Sequence, residues 1–177
     1  MIDKFKNIFA IPELRRRILF TLGVLISVRL GAHIPLPGID SEVLSAAFQG
    51  YQNTLLGLYN LFAGGAFEKA TLFALGIMPY ISASIIIQLM STVVPYFQRL
   101  QKEGEAGRKK ITQVTRYLTV LISAMQAYGI VAVFLPSMSA GGQSVVINPG
   151  LGFIFTGTVS LITGTILLMW LGERITE

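Results

Sequence analysis

Hydrophobic residues in this chain are gathered into long runs, which short polar or charged stretches separate. The central run, residues 70–98, contains no Asp, Glu, Lys, Arg or His. About 20 apolar residues cross the hydrocarbon of a bilayer, so this run predicts a membrane-spanning helix. Similar runs predict spans at residues 18–36, 117–135 and 151–171. The expected fold class is an all-α membrane protein, a polytopic helical bundle.

The second predicted span, residues 70–98, combines apolar and polar positions on one side. The positions of one helical face follow each other at spacings of four and three, at Ile77, Ile81, Ser84, Gln88 and Ser91. Pro79 inside this helix would leave the carbonyl of Leu75 without a helical donor, and in lipid such a group must face protein or water. The face is therefore expected to look inward onto a partly wet space. An ordinary bundle helix, bonded to its neighbours through Ser and Gln, is the alternative that this segment leaves open.

A short apolar stretch lies within residues 37–69, which are predicted to be external. Residues 55–67 are too few to span a bilayer and too apolar for a loop in water. Segments of this length are often re-entrant, and Gly64 and Gly65 would supply a hinge before the next helix. A re-entrant segment requires a cavity open to the outside, because irregular backbone at membrane depth must face protein or water. An interfacial helix on the outer leaflet is the alternative.

Charge is distributed unevenly among the connections. The chain has 14 Lys and Arg residues, and all but Arg29 and Lys69 fall in residues 1–17, 99–116 and 172–177. The positive-inside rule therefore predicts that these three segments are cytoplasmic. The first of them is expected to begin with an amphipathic helix that lies at the membrane interface and ends at the first proline.

The two later loops have opposite character. Residues 136–150 carry no charged side chain and are predicted to be external, whereas residues 99–116 carry six basic and two acidic side chains. The basic positions available for docking are Arg99, Lys102, Arg108, Lys109 and Lys110. The positive-inside rule for a cytoplasmic segment is enough to explain the charge of these residues. The alternative is a docking loop for an acidic lipid surface, an RNA phosphate surface or a protein motor.

Residues suited to catalysis or metal binding are scarce in this chain. It has no Cys and a single histidine, His33, and it lacks Walker, G-x-S-x-G and H-E-x-x-H motifs. We therefore expect no metal, no cofactor and no enzymatic activity. Only 13% of the residues are charged, against about a quarter in soluble domains, which again favours a membrane protein.

Seven blocks of sequence are too specific to be a generic hydrophobic pattern. They are RRRILF at 15–20, IPLPGID at 34–40, NLFAGGA at 60–66, FALGIMPYISASIIIQL at 73–89, KEGEAGRKKI at 102–111, VINPG at 146–150 and LMWLGERITE at 168–177. In this order they closely resemble the SecY family, the central subunit of the bacterial protein-conducting channel. The family is built as two inverted halves. The resemblance implies an amino-terminal portion with the first four spans, part of the first half of that inverted-repeat channel, with a short re-entrant plug helix at about residues 57–67.

The resemblance also implies a function and a set of site residues. The family conducts unfolded secretory polypeptides across the membrane and releases hydrophobic segments sideways into lipid. The positions that match its apolar pore ring are Ile77 and Ile81. The plug positions are Tyr59, Asn60, Leu61, Phe62, Ala63, Gly64 and Gly65. The lateral-gate positions are Ser82, Ile85, Gln88 and Gln126.

The partners implied by the resemblance are mostly other parts of the translocation machinery. They are the SecE and SecG subunits, the SecA motor ATPase, the ribosome, signal peptides, nascent polypeptides, the phospholipid bilayer and the remainder of the same channel subunit. The implied location is the bacterial inner (plasma) membrane, multi-pass, with the amino terminus in the cytoplasm.

Two other classes of function compete with a protein channel. A small-solute secondary transporter would also use broken helices and inverted repeats. It should carry a buried ionisable pair or several convergent polar groups near the midplane, and the second, third and fourth predicted spans contain no charged residue. A structural or lipid-binding scaffold would need no re-entrant segment. The motif match and the uncharged inward face favour the channel.

Overall fold

The computed structural model describes residues 11–176, and it is mostly helical. Seven helices have eight or more residues in the described part: α1 Pro12–Gly31, α2 Ser41–Phe48, α3 Leu55–Phe62, α4 Met78–Val93, α5 Pro95–Lys102, α6 Glu105–Gly129 and α7 Leu151–Thr176. Helix α6 continues through a π-helical turn, Ile130–Phe134, into the short helix Leu135–Ser137. The all-α class predicted from the sequence is confirmed.

Three of these helices form a bundle that is packed through small side chains. On α4, α6 and α7 the buried positions recur every fourth residue, at Ala83, Ile87 and Ser91, at Thr115, Thr119, Ser123 and Ala127, and at Gly157, Leu161, Thr165 and Met169. The hydroxyls of Thr115, Thr119, Ser123 and Thr165 donate to carbonyls of their own helix, for example Thr119 to Thr115 at 2.7 Å. A Cβ at Gly157 would lie 2.9 Å from Val131, so the helices approach too closely for a larger residue.

A compact cap, formed by residues 34–75 and 138–147, covers one end of this bundle. Its centre is the extended segment 34–39, which is hydrogen-bonded on both sides. On one side the Leu36 amide donates to the Ala70 carbonyl at 3.0 Å, and on the other the Asp40 amide donates to the Val145 carbonyl at 2.9 Å. The cap and the adjoining helix ends hold a contiguous apolar core that includes Leu36, Leu44, Phe48, Phe67, Leu75, Val131 and Val145.

A small hairpin completes the cap. Strands β1 (Ser139–Ala140) and β2 (Gln143–Ser144) pair antiparallel. The two residues between them, Gly141 and Gly142, have φ of +60° and +82°, as a type I′ turn requires. The segment predicted as an uncharged external loop, residues 136–150, is therefore partly ordered as a hairpin, with Val145 and Val146 buried beneath it.

The first predicted span differs from the observed helix at both ends. Helix α1 begins at Pro12, so residues 12–17 belong to it and not to a separate interfacial segment; residues 1–10 of that segment lie outside the described part. The helix ends at Gly31, five residues before Leu36, because the chain then enters the extended centre of the cap. A Cβ at Gly31 would collide with the ring of Phe73, so the helix end packs directly on the cap.

The second predicted span, residues 70–98, is not one continuous helix. Residues 70–77 form turns, because residues 70–72 pair with the extended cap segment and are unavailable for a helix. After α4, the axis turns by 97° into α5. Val94 at this bend is extended (φ −92°, ψ 119°), as a residue preceding a proline prefers to be.

The basic segment, residues 99–116, is largely helical and not a loop. Helices α5 and α6 are separated only by residues 103–104, and Gly104 makes the turn with φ +69°. The helix that contains the third predicted span therefore begins twelve residues before 117, at Glu105, and runs on to Ser137. A Cβ at Gly107 would collide with the Leu100 carbonyl, so the two arms of this helical hairpin are in close contact.

Length and composition identify which described helices are able to cross a membrane. Two qualify, Glu105–Ser137 and Leu151–Thr176, and the bent pair α4–α5 becomes a third if it is counted as one span. Helix α1 contains Arg15, Arg16, Arg17 and Arg29. Its role as a span, like the side of the membrane on which each connection lies, remains a prediction.

Candidate functional site

Helix α4 presents a row of large apolar side chains that the rest of the described chain leaves uncovered. Its buried side is formed by Pro79, Ala83, Ile87 and Ser91. Elsewhere on its surface Ile81 is 39% exposed, Ile85 50% and Leu89 64%. The helix contains no charged residue. An uncovered apolar row on a helix without charge is a surface able to contact lipid, a pore or more protein.

The two pore-ring positions lie one helical turn apart at the start of this row. Ile77 is the N-cap of α4, and the Ile81 amide donates to its carbonyl at 3.1 Å. Both side chains are 39% exposed. The other residues predicted to share the face of Ile77 and Ile81 are not all exposed. Gln88 is exposed, Ser84 is half-buried, and Ser91 is buried. Its hydroxyl accepts a hydrogen bond from Gln101 Nε2 on α5 at 2.8 Å.

Pro79 does not interrupt a helix, as the sequence suggested it would. It stands in the first turn of α4, where its missing N–H would have no helical partner in any case. The carbonyl of Leu75 does need a partner from outside a helix, and it has one. The hydroxyl of Tyr59, on α3, donates to this carbonyl at 3.1 Å. The predicted plug therefore bonds directly to the chain that leads into α4.

The plug segment, residues 55–67, is held by a second group of hydrogen bonds around Asn60. Asn60 Nδ2 donates to Glu68 Oε2 at 3.2 Å, and the Glu68 amide donates to Asn60 Oδ1 at 3.1 Å. The Gly65 amide donates to the Asn60 carbonyl at 2.9 Å. Burial raises the pKa of Tyr59 to about 12, so its hydroxyl is protonated at neutral pH and donates as described.

The helical part of the plug segment is shorter than predicted. Helix α3 covers Leu55–Phe62, and the residues after it form turns in which Gly64 and Gly65 have φ of +62° and +80°. A side chain is strained in this left-handed conformation, so the two glycines end the helix. Leu61 and Phe62 are 76% and 70% exposed, which leaves one face of the plug uncovered within the described chain.

The plug segment also reaches the pore-ring position. A Cβ at Gly76 would lie 3.6 Å from the Cα of Ala63, so the end of the plug touches the residue that precedes Ile77. The structure thus brings two groups together that the sequence placed apart along the chain, the predicted plug and the start of the predicted pore ring.

Phe67 is a central residue that the predicted site did not include. Its ring lies 5.0 Å from that of Tyr59, 5.7 Å from that of Phe48 and 5.8 Å from that of Phe134. The contacts with Tyr59 and Phe48 are edge-on, and such contacts add to the stability that burial provides. Phe67 therefore fastens the plug segment to α2 and to the π turn after α6. The signal in the sequence was a large aromatic residue two positions after the glycine hinge.

The four lateral-gate positions are not gathered in one place. On α4, Ser82 is half-buried, Ile85 is exposed, and Gln88 is exposed with its amide 3.4 Å from Ser84 Oγ. Gln126, on α6, lines a cavity of about 350 Å³ whose walls include Tyr59 and Phe67 but none of the α4 gate positions. Within the described residues its buried Oε1 has no hydrogen-bond partner. In this structure Gln126 belongs with the plug segment.

The predicted docking positions lie on two helices joined by a sharp turn. Arg99 and Lys102 are on α5, and Arg108, Lys109 and Lys110 are on the first turns of α6; all five are exposed. Lys110 lies 3.7 Å from Glu103 in a solvent-exposed ion pair, which contributes little to stability. A second pair, Arg116–Glu173 at 2.7 Å, joins α6 to α7.

Acidic residues and His33 do not gather into a metal site anywhere in residues 11–176. The features that remain are helices of membrane-spanning length, a bent and uncharged central helix, and a short helix folded back against its start. They define a polytopic helical membrane protein. The family model of SecY matches residues 71–177, and the chain belongs to the SecY family.

Several curated relatives are closely similar to this chain. The protein translocase subunit SecY of Buchnera aphidicola subsp. Acyrthosiphon kondoi is 54% identical over 165 residues, which cover 93% of this chain and 46% of that protein. The subunit of Escherichia coli (strain K12) is also 54% identical, over 93% of this chain and 37% of its own length. That of Haemophilus influenzae is 52% identical, over 93% and 36%. The chain therefore spans less than half the length of these relatives.

Proposed function

We propose that this chain is the amino-terminal part of the pore-forming subunit of a protein translocase. In that role it helps to conduct unfolded secretory polypeptides across the membrane and to release hydrophobic segments into lipid. Relatives more than half identical over 93% of the chain are named protein translocase subunits. The observation that carries the proposal is the uncovered, uncharged row on α4 with the plug segment against its start.

Ile77 and Ile81 are proposed to contribute to an apolar ring that seals the resting pore. Both are exposed within the described chain, and they lie one turn apart, so both can reach the same narrow layer. Water in an apolar constriction finds no hydrogen-bonding partner, and such a layer gates by dewetting. A seal without fixed charge also leaves no site at which a passing polypeptide would be retained.

The plug segment is proposed to close the same pore on the external side of the ring. Its contacts with the main chain at Leu75 and Gly76 support this role. The positive φ angles of Gly64 and Gly65 supply the hinge that a movable segment needs. The lateral exit is proposed to run along α4 at Ser82, Ile85 and Gln88, with Gln126 on the neighbouring helix, where hydroxyl and amide groups weaken the seam between helices.

The partners and location follow from the same proposal. The chain is proposed to work with the remainder of the subunit, SecE, SecG, the SecA motor and the ribosome, in a bacterial inner membrane with its amino terminus in the cytoplasm. The basic hairpin of α5 and α6 is the proposed docking surface. The energy for transport is proposed to come from these partners and not from catalysis by this chain.

A small-solute transporter is less well supported. It would use a charged or strongly polar site near the membrane midplane. Residues 117–135 and 151–171 carry no charged residue, and neither does α4. The printed names of the relatives also describe a protein translocase.

The test of the seal compares two substitutions of Ile81 in the complete subunit, reconstituted with its partners into planar bilayers. Ile81→Ser adds a donor and an acceptor and removes apolar area, so the resting ion conductance should rise. Ile81→Leu keeps the apolar area, so the conductance should stay at the wild-type level. Equal conductance of the two variants would show that α4 does not line the constriction and would defeat the proposed function.

A further inference from the structure

A small polar cavity lies between the end of α1 and the end of the plug segment. Its volume is about 180 Å³. A drug-sized ligand needs about 300–1,000 Å³, so this cavity has room only for a small ion and a few water molecules. The residues that line it are Arg29, Ala32, His33, Gly64, Gly65, Glu68 and Lys69.

Two residues that line this cavity are not explained by membrane topology. Arg29 and Lys69 are the two basic residues outside the segments that are predicted to be cytoplasmic. The positive-inside rule therefore does not account for them. They lie far apart in the chain, and only the fold brings them to one cavity. A shared anionic ligand would explain why both are present.

The cavity carries a net positive charge. Arg29 and Lys69 form no ion pair within residues 11–176. Glu68 is the one acid in the lining, so two permanent cations stand against one carboxylate. A concave surface with an excess of one sign of charge concentrates ions of the opposite sign. The charge of the lining therefore favours an anion.

The acid in the lining narrows the choice of anion. Glu68 Oε2 accepts from Asn60 Nδ2 at 3.2 Å, whereas its other oxygen, Oε1, has no hydrogen bond within the described residues. A carboxylate repels an anion that has no hydrogen to donate, but it accepts a hydrogen bond from one that carries an O–H group. The lining thus combines donors for charged oxygens with an acceptor for a hydroxyl.

Both walls of the cavity are held in place by hydrogen bonds. His33 Nδ1 lies 2.8 Å from the Arg29 carbonyl, and since a carbonyl only accepts, Nδ1 carries the proton. On the other wall Ala70, directly after Lys69, has φ +41°. This conformation is strained for alanine, and surrounding bonds maintain it: the Ala70 carbonyl accepts from the Leu36 amide at 3.0 Å. The backbone that carries both cations is therefore already in place for a ligand.

We propose that this cavity is a binding site for a hydrogen phosphate ion, with Arg29 and Lys69 donating to its charged oxygens and Glu68 Oε1 accepting from its O–H group. Arginine suits such a site because its planar fork bonds two phosphate oxygens at once. Sulfate at neutral pH has no O–H group for Glu68, and neither does the phosphodiester of a phospholipid headgroup. The site does not depend on the proposed pore, and binding is measured without transport.

The test is isothermal titration calorimetry of the full chain in detergent at neutral pH, with sodium phosphate, sodium sulfate or sodium chloride at constant ionic strength. The wild type should bind phosphate more tightly than sulfate, and sulfate more tightly than chloride. Arg29→Gln and Lys69→Gln should each weaken phosphate binding about tenfold, as expected when one charged hydrogen bond is lost. Lys109→Gln is the matched control, because this lysine is equally exposed on α6 and does not line the cavity.

A second variant tests the acceptor. Glu68→Gln removes the carboxylate that repels sulfate, so the affinity for sulfate should rise and the preference for phosphate over sulfate should shrink. An unchanged preference in this variant would show that the acid does not face the ligand and would overturn the proposal.

The remaining outcomes separate a built site from general attraction. Weaker phosphate binding in R29Q and K69Q, with wild-type affinity in K109Q, would support the site. Equal losses in all three would reduce it to diffuse surface charge, and equal wild-type affinity for phosphate and sulfate would remove the role of the O–H group; either result overturns the proposal. Displacement of phosphate by dioleoyl phosphatidylglycerol in the same micelles would identify a lipid surface and would also overturn it. Circular dichroism checks the helix content of each variant, and K69Q tests the opposite wall if R29Q does not fold.

Discussion

The cap and the uncovered face of α4 are made from the same kinds of residue but are packed in opposite ways. In the cap, Leu44 and Phe48 are each 1% exposed, and Val145 is fully buried. On α4, Ile85 and Leu89 are 50% and 64% exposed. The apolar residues of the cap are therefore buried within the described chain. Those on this face of α4 stay exposed and are able to contact lipid, a pore or more protein. The difference separates residues that maintain the fold from residues that are available for function.

The largest effect is expected when one leucine in each region is replaced by alanine. Leu44→Ala in the cap should lower the free energy of unfolding by about 2–5 kcal/mol, because it leaves a cavity in a packed core. Leu89→Ala on α4 should change it by no more than about 0.5 kcal/mol, because most of this side chain is already uncovered. Denaturant titration in detergent, followed by circular dichroism, measures both. Equal losses would mean that the α4 face is part of the stabilising core.

A smaller effect is expected where the bundle meets the cap. A Cβ at Gly164 of α7 would collide with the carbonyl of Leu72, so Gly164→Ala should cost about 1–3 kcal/mol through overpacking. The control is Gly152→Ala on the same helix, where a Cβ would meet no described atom within 4 Å apart from its chain neighbours and the backbone of its own helix. That variant should keep its melting temperature or raise it slightly. If both variants melted at the same temperature, the close contact between α7 and the cap would be in doubt.

The smallest effect concerns the bond that joins the plug segment to the start of α4. Tyr59→Phe removes the donor to the Leu75 carbonyl and should cost about 1 kcal/mol. Tyr128→Phe on α6 is the control, since that ring is 58% exposed. Hydrogen exchange at residues 59–68 should accelerate in the first variant only. Unchanged exchange in Tyr59→Phe would separate the plug from α4 and weaken the proposed coupling between them.

The same tyrosine predicts a pH dependence. Burial raises the pKa of Tyr59 from 10.0 to about 12, so the folded state binds this proton more tightly than the unfolded state. Its contribution to stability is therefore complete below pH 10 and is lost as the pH rises from 10 towards 12. Thermal unfolding of the wild type should fall more steeply across this interval than that of Tyr59→Phe. Parallel curves would show that Tyr59 is not buried in solution.

Much of the local structure could be predicted from the order of residues. The apolar runs located three long helices, and the Gly64–Gly65 pair marked a break before the next helix. The spacing of Ile77 and Ile81 correctly placed them one turn apart. These successes share a cause, since helix periodicity and glycine conformation are local properties of the chain.

The errors arose where distant segments compete for the backbone. Residues 70–77 are as apolar as a membrane helix, yet they form turns, and residues 70–72 bond to residues 34–36 instead of starting a helix. Ser91 is buried and bonded to Gln101, which lies beyond the bend at Val94, and the spacing of the polar residues did not reveal this contact. Phe67 and Glu68 belong to the site because they contact residues of other elements. The periodicity of the sequence does not reveal such contacts.

The sequence by itself therefore determined the class of the protein, the approximate course of its helices, the asymmetry of its charge and the apolar character of α4. Only the tertiary structure decided which apolar residues are buried, where α1 and α4 begin and end, and that Arg29 and Lys69 share one cavity. The physical reason is that hydrophobicity and helix period depend on near neighbours, whereas burial and backbone pairing depend on segments that folding brings together.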